Sequence, residues 1–383
     1  MYRIGKEEVA AVEAVVNSRK FFKTDTTLKT VYTCEEKMKK ITGADYAVMM
    51  TSGMGALVSG LIGLGIGPGD EVIVPAYTYI ASAMAVLAVG AIPVLAEIDE
   101  TCTLDPADFE KKIGPATRAV MPVHIQGFPC NMDAICDIAR RHGIHVIEDA
   151  CQADGGAYHG RRLATIGDVG AFSFNYYKII STGEGGALIT SDRRIYERAL
   201  IYHDSCAIAY FGNQLDDMLE PVFAGTEYRA NEFSGAILSV QLDRLDGILA
   251  DLRRNKRIML QTIGDKYKCI PSNDIDGDCG TTLALQFESE KETRRFAENA
   301  PCHTKLPIDT GKHVYSKWTF ILNKKGAMHP AMDPFLMKEN QGLRTNYATD
   351  MCPRTLDILS RTVYINVDPD MTEEQAADFA RKL

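Results

Sequence analysis

Tyr46-Ala47-Val48-Met49-Met50-Thr51-Ser52-Gly53-Met54-Gly55-Ala56-Leu57 passes from five residues of strand character, through small residues, into an apolar helical pattern. Six further short runs have strand character: Glu71-Val72-Ile73-Val74, Ile92-Pro93-Val94-Leu95, Ala119-Val120-Met121-Pro122-Val123, His145-Val146-Ile147, Val169-Gly170-Ala171-Phe172-Ser173-Phe174 and Ala187-Leu188-Ile189-Thr190. Turn residues flank them and helical patterns separate them. Alternation of this kind predicts an α/β fold with a mostly parallel, seven-stranded sheet covered by helices on both faces. Ligands of such sheets bind beyond the carboxyl ends of the strands. The polar residues after Met50, after Ile147 and after Phe174 are therefore the first candidates for a site.

Farther along, Ile237, Val240, Leu242, Leu245, Ile248 and Leu249 recur at helical spacing, and Arg253, Arg254, Lys256 and Arg257 follow them. The pattern predicts one long helix from Phe233 to about Leu260. It leads from a large domain, residues 1–250 with a helical N-terminal segment, into a smaller α+β C-terminal domain, residues 251–383. Two domains also suit a chain of 383 residues, at about 150 residues per domain.

Composition narrows the class. With 46% hydrophobic and 24% charged residues the chain suits a globular protein, which excludes disordered, collagen-like and coiled-coil chains. Lys and Arg number 42 against 51 Asp and Glu, a formal charge of −9, which argues against sequence-independent binding of nucleic acid. No run approaches the roughly 20 apolar residues of a membrane helix, and Met1-Tyr2-Arg3-Ile4-Gly5-Lys6 does not open a signal peptide. A soluble, cytoplasmic protein with no membrane and no nucleic-acid partner is expected. Ten scattered cysteines without a Cys-x-x-Cys pair read as reduced thiols, and no metal site is expected.

Four segments could carry chemistry. Gly63-Leu64-Gly65-Ile66-Gly67-Pro68-Gly69 puts a proline at the sixth position of a would-be G-x-G-x-x-G, so it reads as a helix stop and not a dinucleotide fingerprint. Thr51 to Gly55 opens a helix, where backbone N–H groups and the helix dipole attract a phosphate, although taken by itself the segment reads first as a tight turn without a ligand. Glu148 and Asp149 follow an apolar strand and cannot both point into the core. One should face the sheet crest, unless the pair serves only to cap a helix. Lys178 sits in the run Phe172-Ser173-Phe174-Asn175-Tyr176-Tyr177-Lys178-Ile179-Ile180. A lysine buried there is costly as a cation, and a neutral amine forms Schiff bases with carbonyls; a surface lysine is the plain alternative.

A phosphate cup, a strand-end acid and a Ser173…Lys178 pair in that order are far more specific together. The motifs PAYTYIAS (75–82), PVHIQG (122–127), IEDACQA (147–153), SFNYYK (173–178), GEGG (183–186) and Tyr228-Arg229 within GTEYRANEF carry a resemblance that extends to Pro353-Arg354-Thr355-Leu356. On these residues the chain resembles the sugar aminotransferases of the DegT/DnrJ/EryC1/StrS family, pyridoxal-phosphate enzymes of fold type I with an aspartate-aminotransferase-like fold.

The resemblance implies pyridoxal 5′-phosphate as cofactor and a homodimer with shared active sites. It makes Lys178 and Asp149 catalytic. Lys178 holds the cofactor covalently and later moves a proton between the substrate Cα and the cofactor, while Asp149 pairs with the pyridine nitrogen. Glu148 then reads as structural. Gln152 is implied at the phenolate oxygen, Tyr79 against the ring, and Ser173 on the phosphate with the N–H groups of Gly53, Met54 and Gly55. His124 is either a neighbour of substrate or cofactor or a satisfied core histidine. Trp318 reads as core, and 302–305 and 312–315 fall where the family partly draws its sugar contacts.

Two positions depart from the family pattern. Met54 and Gly55 replace a hydroxyl residue and a small residue in the cup, and a lost charge-assisted hydrogen bond costs about 1.5 to 3 kcal/mol. Glu227 stands where an asparagine commonly reaches the neighbouring subunit's phosphate, which a carboxylate would repel. Either Arg229 or Thr226 makes that contact, or Glu227 serves the substrate. The stretch from Asp204 to Gly225 before it reads as a mobile loop near the dimer interface.

The expected reaction moves an amino group from L-glutamate or glutamine to a keto or aldehyde carbon of a sugar, in two half-reactions. A nucleotide-linked keto-sugar is the commoner family acceptor; a free keto-sugar of inosose or oxidised octulosonate type is the alternative. Related sugar dehydratases carry histidine in place of the lysine, and Lys178 argues against them. A non-catalytic ligand-binding or regulatory protein on the same fold, and a nicotinamide-dependent dehydrogenase, are the remaining alternatives.

Overall fold

This computed structural model describes residues 3–23, 27–205 and 218–383. The chain enters through helices α1 (Lys6–Ser18) and α2 (Thr30–Thr42). It then alternates through β1 (Tyr46–Met50), α3 (Gly53–Gly63), β2 (Glu71–Pro75), α4 (Ala81–Ala88), β3 (Ile92–Ala96), α5 (Pro106–Lys111), β4 (Thr117–Val120), α6 (Met132–His142) and β5 (His145–Asp149). A short hairpin, β6 (Ala157–Tyr158) and β7 (Arg161–Arg162), precedes β8 (Val169–Ser173), β9 (Gly186–Thr190), α7 (Arg193–His203) and the long α8 (Glu232–Ile263).

Seven of these strands form one sheet in the order β1-β9-β8-β5-β4-β2-β3. From β8 to β3 every neighbouring pair is parallel, and β9 alone runs antiparallel to both of its neighbours. The expected α/β architecture and mostly parallel sheet are thus present. Strands β2, β3, β8 and β9 are buried along their whole length, as a sheet with helices on both faces requires.

Three sequence boundaries move. The run expected at Ala119–Val123 is a regular strand only over Thr117–Val120: Met121 N–H still reaches Ile73 O at 2.8 Å, Pro122 has no N–H to give, and beyond it only an isolated bridge to β5 continues, with Asp149 N–H on Pro122 O (2.9 Å) and His124 N–H on Asp149 O (3.0 Å). Strand β5 runs on through Glu148 and Asp149, so the two acids end the strand instead of following it. The helix from Asn231, whose side chain caps Ser234 N–H, extends to Ile263. Its buried stripe is Leu238, Gln241, Leu242, Leu245, Ile248, Leu249 and Leu252, while Ile237 and Val240 stand half-buried beside it.

Beyond α8, β10 (Lys268–Cys269), β11 (Thr282–Gln286), β12 (Thr304–Lys305) and β13 (Thr362–Asn366) make a fully antiparallel second sheet in the order β10-β11-β13-β12. Helices α9 (Glu290–Asn299), α10 (Thr319–Leu322), α11 (Pro353–Ser360) and α12 (Glu373–Lys382) belong to the same half of the chain. One segment of that half returns to the first sheet. Thr78 N–H donates to His313 O (3.0 Å), Ile80 N–H to Lys312 O (2.8 Å) and Tyr315 N–H to Ala76 O (3.0 Å). Val314, Tyr315 and Trp318 are fully buried there in the cluster that contains Val74 and Tyr77.

Among the described residues no helix is long and apolar enough to cross a membrane, no group of three or more His, Cys, Asp or Glu could hold a metal ion, and the nine described cysteines are free thiols.

Candidate active site

Strand pairing brings three strand ends together on the crest of the first sheet. Gly186 of β9 stands opposite Met50 of β1 on one side and Ser173 of β8 on the other, and Asp149 of β5 stands opposite Ala171. A side chain at Gly186 would strike the Ser52 carbonyl, so the last position of GEGG must be glycine for the β1–α3 turn to pass.

That turn starts α3. Ser52 is its N-cap, with an extended backbone, and its Oγ accepts Gly55 N–H at 3.0 Å. The Gly55 amide is therefore engaged within the helix start, and Gly53 and Met54 supply the first-turn donors that an α-helix leaves without a partner. A Cβ on Gly53 would lie 2.7 Å from Cys151 Sγ and 2.8 Å from Ser173 Cβ, so the helix start presses directly on both residues. Ser173 is nearly buried. The ring of Tyr228 covers the same turn, 3.2 Å from where a Gly55 Cβ would stand, and Tyr228 O accepts Thr51 N–H at 2.8 Å.

Side chains alternate along β5, and this separates the two acids. Asp149 faces the crest and is 4% exposed; Oδ2 accepts from Ser82 Oγ at 2.7 Å and Oδ1 accepts Cys151 N–H at 3.1 Å. Glu148 faces the other way and is also buried. It accepts the N–H groups of Ala164 (2.9 Å), Ile166 (2.5 Å) and Gly167 (2.6 Å) and meets His124 Nε2 at 3.0 Å. The two acids thus part, one to the crest and one to the interior, although both are buried: three backbone donors and an imidazole make the interior acceptable to Glu148. His124 is itself satisfied, since its Nδ1 accepts Cys130 N–H at 3.1 Å.

Lys178 lies half-buried on the loop after β8, where its N–H donates to Asn175 O (3.0 Å) and Asn175 Nδ2 donates to Glu184 Oε1 (2.9 Å). Its charge is felt at Cys151, Asp154 and His313. Burial first, then Lys178, Lys305 and Lys312, push the His313 imidazole down to about 4, so it is neutral at neutral pH. Burial and then Asp149 push the Cys151 thiol well up. Tyr79 is 41% exposed, with its ring centroid 5.4 Å from that of His313.

Gln152 Oε1 accepts Gln126 N–H at 3.0 Å, which leaves its amide nitrogen for a ligand. Glu227 is engaged within this chain by Arg229 and Ser205. It pairs with Arg229 Nη2 (2.7 Å) and accepts from Ser205 Oγ (3.3 Å), while the other Arg229 nitrogen pairs with Asp204. Of the stretch read as a mobile loop, residues 206–217 lie outside the described residues. Lys305 Nζ donates to Asn366 Oδ1 (3.2 Å) on the second sheet.

The structure therefore brings Gly53, Met54, Asp149, Ser173 and Lys178 to one crest. It adds Ser82, which had no assigned role in PAYTYIAS, and Tyr228 and His313, known only as members of motifs. A lone hydroxyl in the apolar run Ile80-Ala81-Ser82-Ala83-Met84-Ala85 was the available signal, because a buried hydroxyl needs a partner.

Pyridoxal phosphate fits these groups. Two unpartnered amides at a helix start and the Ser173 hydroxyl suit a phosphate, and the space that a Cβ at Gly53 would fill lies between them. The fixed Asp149 carboxyl suits a protonated pyridine nitrogen, and Lys178 supplies the amine.

Comparison with known proteins agrees with this geometry. The model of the DegT/DnrJ/EryC1/StrS aminotransferase family matches residues 2–294. The chain is similar to the dTDP-3-amino-3,4,6-trideoxy-alpha-D-glucose transaminase of Streptomyces venezuelae, with 46% identity over 204 residues. That match covers 53% of this chain and 52% of the relative, so it spans about half of the relative's length. The dTDP-3-amino-3,6-dideoxy-alpha-D-galactopyranose transaminase of Aneurinibacillus thermoaerophilus is 40% identical over 290 residues, 74% of this chain and 78% of that protein. The structure of an aminotransferase from Psychrobacter cryohalolentis superposes with a TM-score of 0.81 at 25% identity, covering 100% of this chain and 97% of that one. With a family model matched over most of its length and the fold of a solved aminotransferase throughout, the chain belongs to the DegT/DnrJ/EryC1/StrS aminotransferase family.

Proposed function

We propose that the protein is a pyridoxal-phosphate-dependent aminotransferase that transfers an amino group from L-glutamate or L-glutamine to a keto or aldehyde carbon of a nucleotide-linked sugar. The observation that carries this reading is the convergence on one sheet crest of Asp149, fixed through both oxygens, with Ser173, the first turn of α3 and Lys178. The names of the similar transaminases support a dTDP-sugar acceptor. A homodimer that shares its active sites in the cytoplasm belongs to the same proposal.

Bound at this crest, pyridoxal phosphate supplies a reactive aldehyde and an electron-withdrawing ring that stabilises a carbanion. The chain's own residues do the rest. Gly53 and Met54 N–H and Ser173 Oγ hold the phosphate, and Asp149 pairs with the ring nitrogen and keeps its proton in place. Ser82 and Cys151 N–H keep Asp149 aimed. Tyr79 would cover one face of the ring and keep water from it. Lys178 Nζ would hold the cofactor through its aldehyde carbon, and the same amine, when free, would serve as the base and acid that moves a proton between the substrate Cα and that carbon.

Borohydride reduction followed by mass spectrometry of the digested protein tests the assignment. The expected result is a cofactor-sized adduct on the peptide that carries Lys178. An adduct on another lysine, or none in protein supplied with pyridoxal phosphate, contradicts it. Competition among dTDP-linked, GDP-linked and free keto-sugars for the loaded enzyme then reads the acceptor class.

A further inference from the structure

Gln126, in the loop that follows β4, carries a side chain in the left-handed region of the backbone (φ 54°), and Gly127 continues there (φ 81°). A residue with a Cβ is costly in that region and persists only where its surroundings hold it. What holds Gln126 comes from the second half of the chain. Thr281 Oγ1 donates to Gln126 O at 2.7 Å, and Thr282 Oγ1 donates to Gln126 Oε1 at 3.1 Å. Cys279 N–H donates to Gly127 O at 3.1 Å, and a Cβ on Gly127 would stand 2.6 Å from that of Cys279. Thr282 is the first residue of β11, so the turn at 126–127 and the entry to the second sheet form one packed joint.

The other side of this joint is the crest. Gln126 N–H donates to Gln152 Oε1 at 3.0 Å, and Gln126 Nε2 lies 3.4 Å from the same oxygen. A backbone amide can only donate, so it decides which end of the Gln152 carboxamide it meets: the oxygen is held, and the nitrogen is turned outward as a donor. The chain of hydrogen bonds has one polarity throughout. It runs from the Thr282 hydroxyl to the Gln126 carboxamide, from Gln126 to Gln152 Oε1, and leaves Gln152 as an N–H group three residues past Asp149.

We propose that Gln126 is a positioning residue, held by Thr281 and Thr282, which fixes Gln152 as a hydrogen-bond donor to the cofactor's phenolate oxygen. The seating of β11 then sets how readily the bound cofactor gives up its proton. A donor on the phenolate oxygen stabilises the negative charge there and lowers the pH at which that proton leaves. Without the two hydroxyls the Gln126 peptide is free to turn, and a hydrogen bond weakens steeply once its angle is lost.

The inference rests on the reading of Gln152 at the phenolate and of Lys178 as the cofactor lysine. Its test is the visible spectrum of protein supplied with pyridoxal phosphate, titrated against pH with no substrate present. Gln152→Ala is expected to raise the midpoint of the colour change by about one pH unit, the equivalent of one hydrogen bond to a charged group. The double variant Thr281→Val, Thr282→Val is expected to raise it in the same direction by about half a unit, and to add nothing in the Gln152→Ala background. Thr281→Ser and Thr282→Ser keep the hydroxyls and are expected to keep the wild-type midpoint. The titratable groups at the crest, Tyr79, Asp149, Cys151, Lys178, Tyr228 and His313, are the same in every variant, so a shift reads the hydrogen bonds. A shift in Gln152→Ala with none in the valine variant overturns the inference and leaves Gln152 at the phenolate. Serine variants that shift as far as the valine variant overturn it too, because the threonines then act by packing alone. An unmoved midpoint in Gln152→Ala overturns the Gln152 reading and the inference together, and protein without a visible band contradicts the cofactor assignment beneath both. Should the double variant fail to fold, the single valine variants read one link each, and two unmoved midpoints overturn the inference.

Discussion

Ser82 Oγ lies 2.7 Å from Asp149 Oδ2, so the first turn of α4 fixes the carboxyl that ends β5. Thr78 Oγ1, 2.7 Å from the same Ser82 oxygen, completes the chain of hydroxyls. Replacing Ser82 by alanine removes a buried hydrogen bond to a charged group, an interaction of about 1.5 to 3 kcal/mol. The expected outcome is a fall in kcat of about tenfold to a hundredfold with little change in the protein's fold, measured by steady-state kinetics and circular dichroism.

Asp149→Asn keeps the shape of the side chain and both neighbours but removes the charge opposite the ring nitrogen. Cofactor should still bind, and the rate of the donor half-reaction should fall by about 100- to 1,000-fold, the usual loss when one preorganised electrostatic group is removed. Stopped-flow mixing with L-glutamate measures it, and a near-normal rate would place the pyridine partner elsewhere.

Gly53→Ala forces a methyl group to within 2.7 Å of Cys151 Sγ and 2.8 Å of Ser173 Cβ. Overpacking of this kind costs about 1 to 3 kcal/mol, and here it also fills the space assigned to a phosphate. Thermal unfolding should show the loss of stability, and equilibrium dialysis should show weaker retention of pyridoxal phosphate. Cys151→Ala in the same chain should recover part of the stability.

Two histidines, buried His203 and half-buried His313, give the stability an acid limb. His313 is pushed down to about 4 by burial and the surrounding lysines, and His203, whose Nε2 has no partner, to about 3 by burial and Lys23. Both bind protons more readily unfolded, near 6.5, than folded. Their contribution to stability is therefore complete above about pH 6.5 and falls as pH drops towards 4, by up to about 1.4 kcal/mol per pH unit for each histidine. His313→Gln should remove one of these contributions and flatten the slope in that window, as read by urea unfolding at a series of pH values.

Most of the first sheet was legible because its strands are continuous apolar runs between turns, and six of the seven lie within one or two residues of the expected bounds. The direction of β9 was not, since a short apolar run carries no polarity of its own. Nor was the early end of regular pairing before Pro122, although proline's missing N–H is a local fact that the run Ala119–Val123 already contained. Glu148 was read as structural, but what holds it was not legible, because the three amides that satisfy it, Ala164, Ile166 and Gly167, are remote in sequence. At the site, Lys178, Asp149 and Ser173 were legible through their spacing. Gly55 N–H was assigned to a ligand because capping by Ser52 depends on a backbone angle that the sequence does not state. The strand-like return of 312–315 onto 76–80 is a contact between distant segments, and no local pattern announces it.

The most direct test of the central claim is the absorption spectrum of the purified protein supplied with pyridoxal phosphate, recorded before and after addition of L-glutamate. The account predicts a visible band from cofactor held by Lys178, which fades as the donor delivers its amino group. A protein that stays colourless with pyridoxal phosphate, or a band that L-glutamate and L-glutamine both leave unchanged, would contradict it.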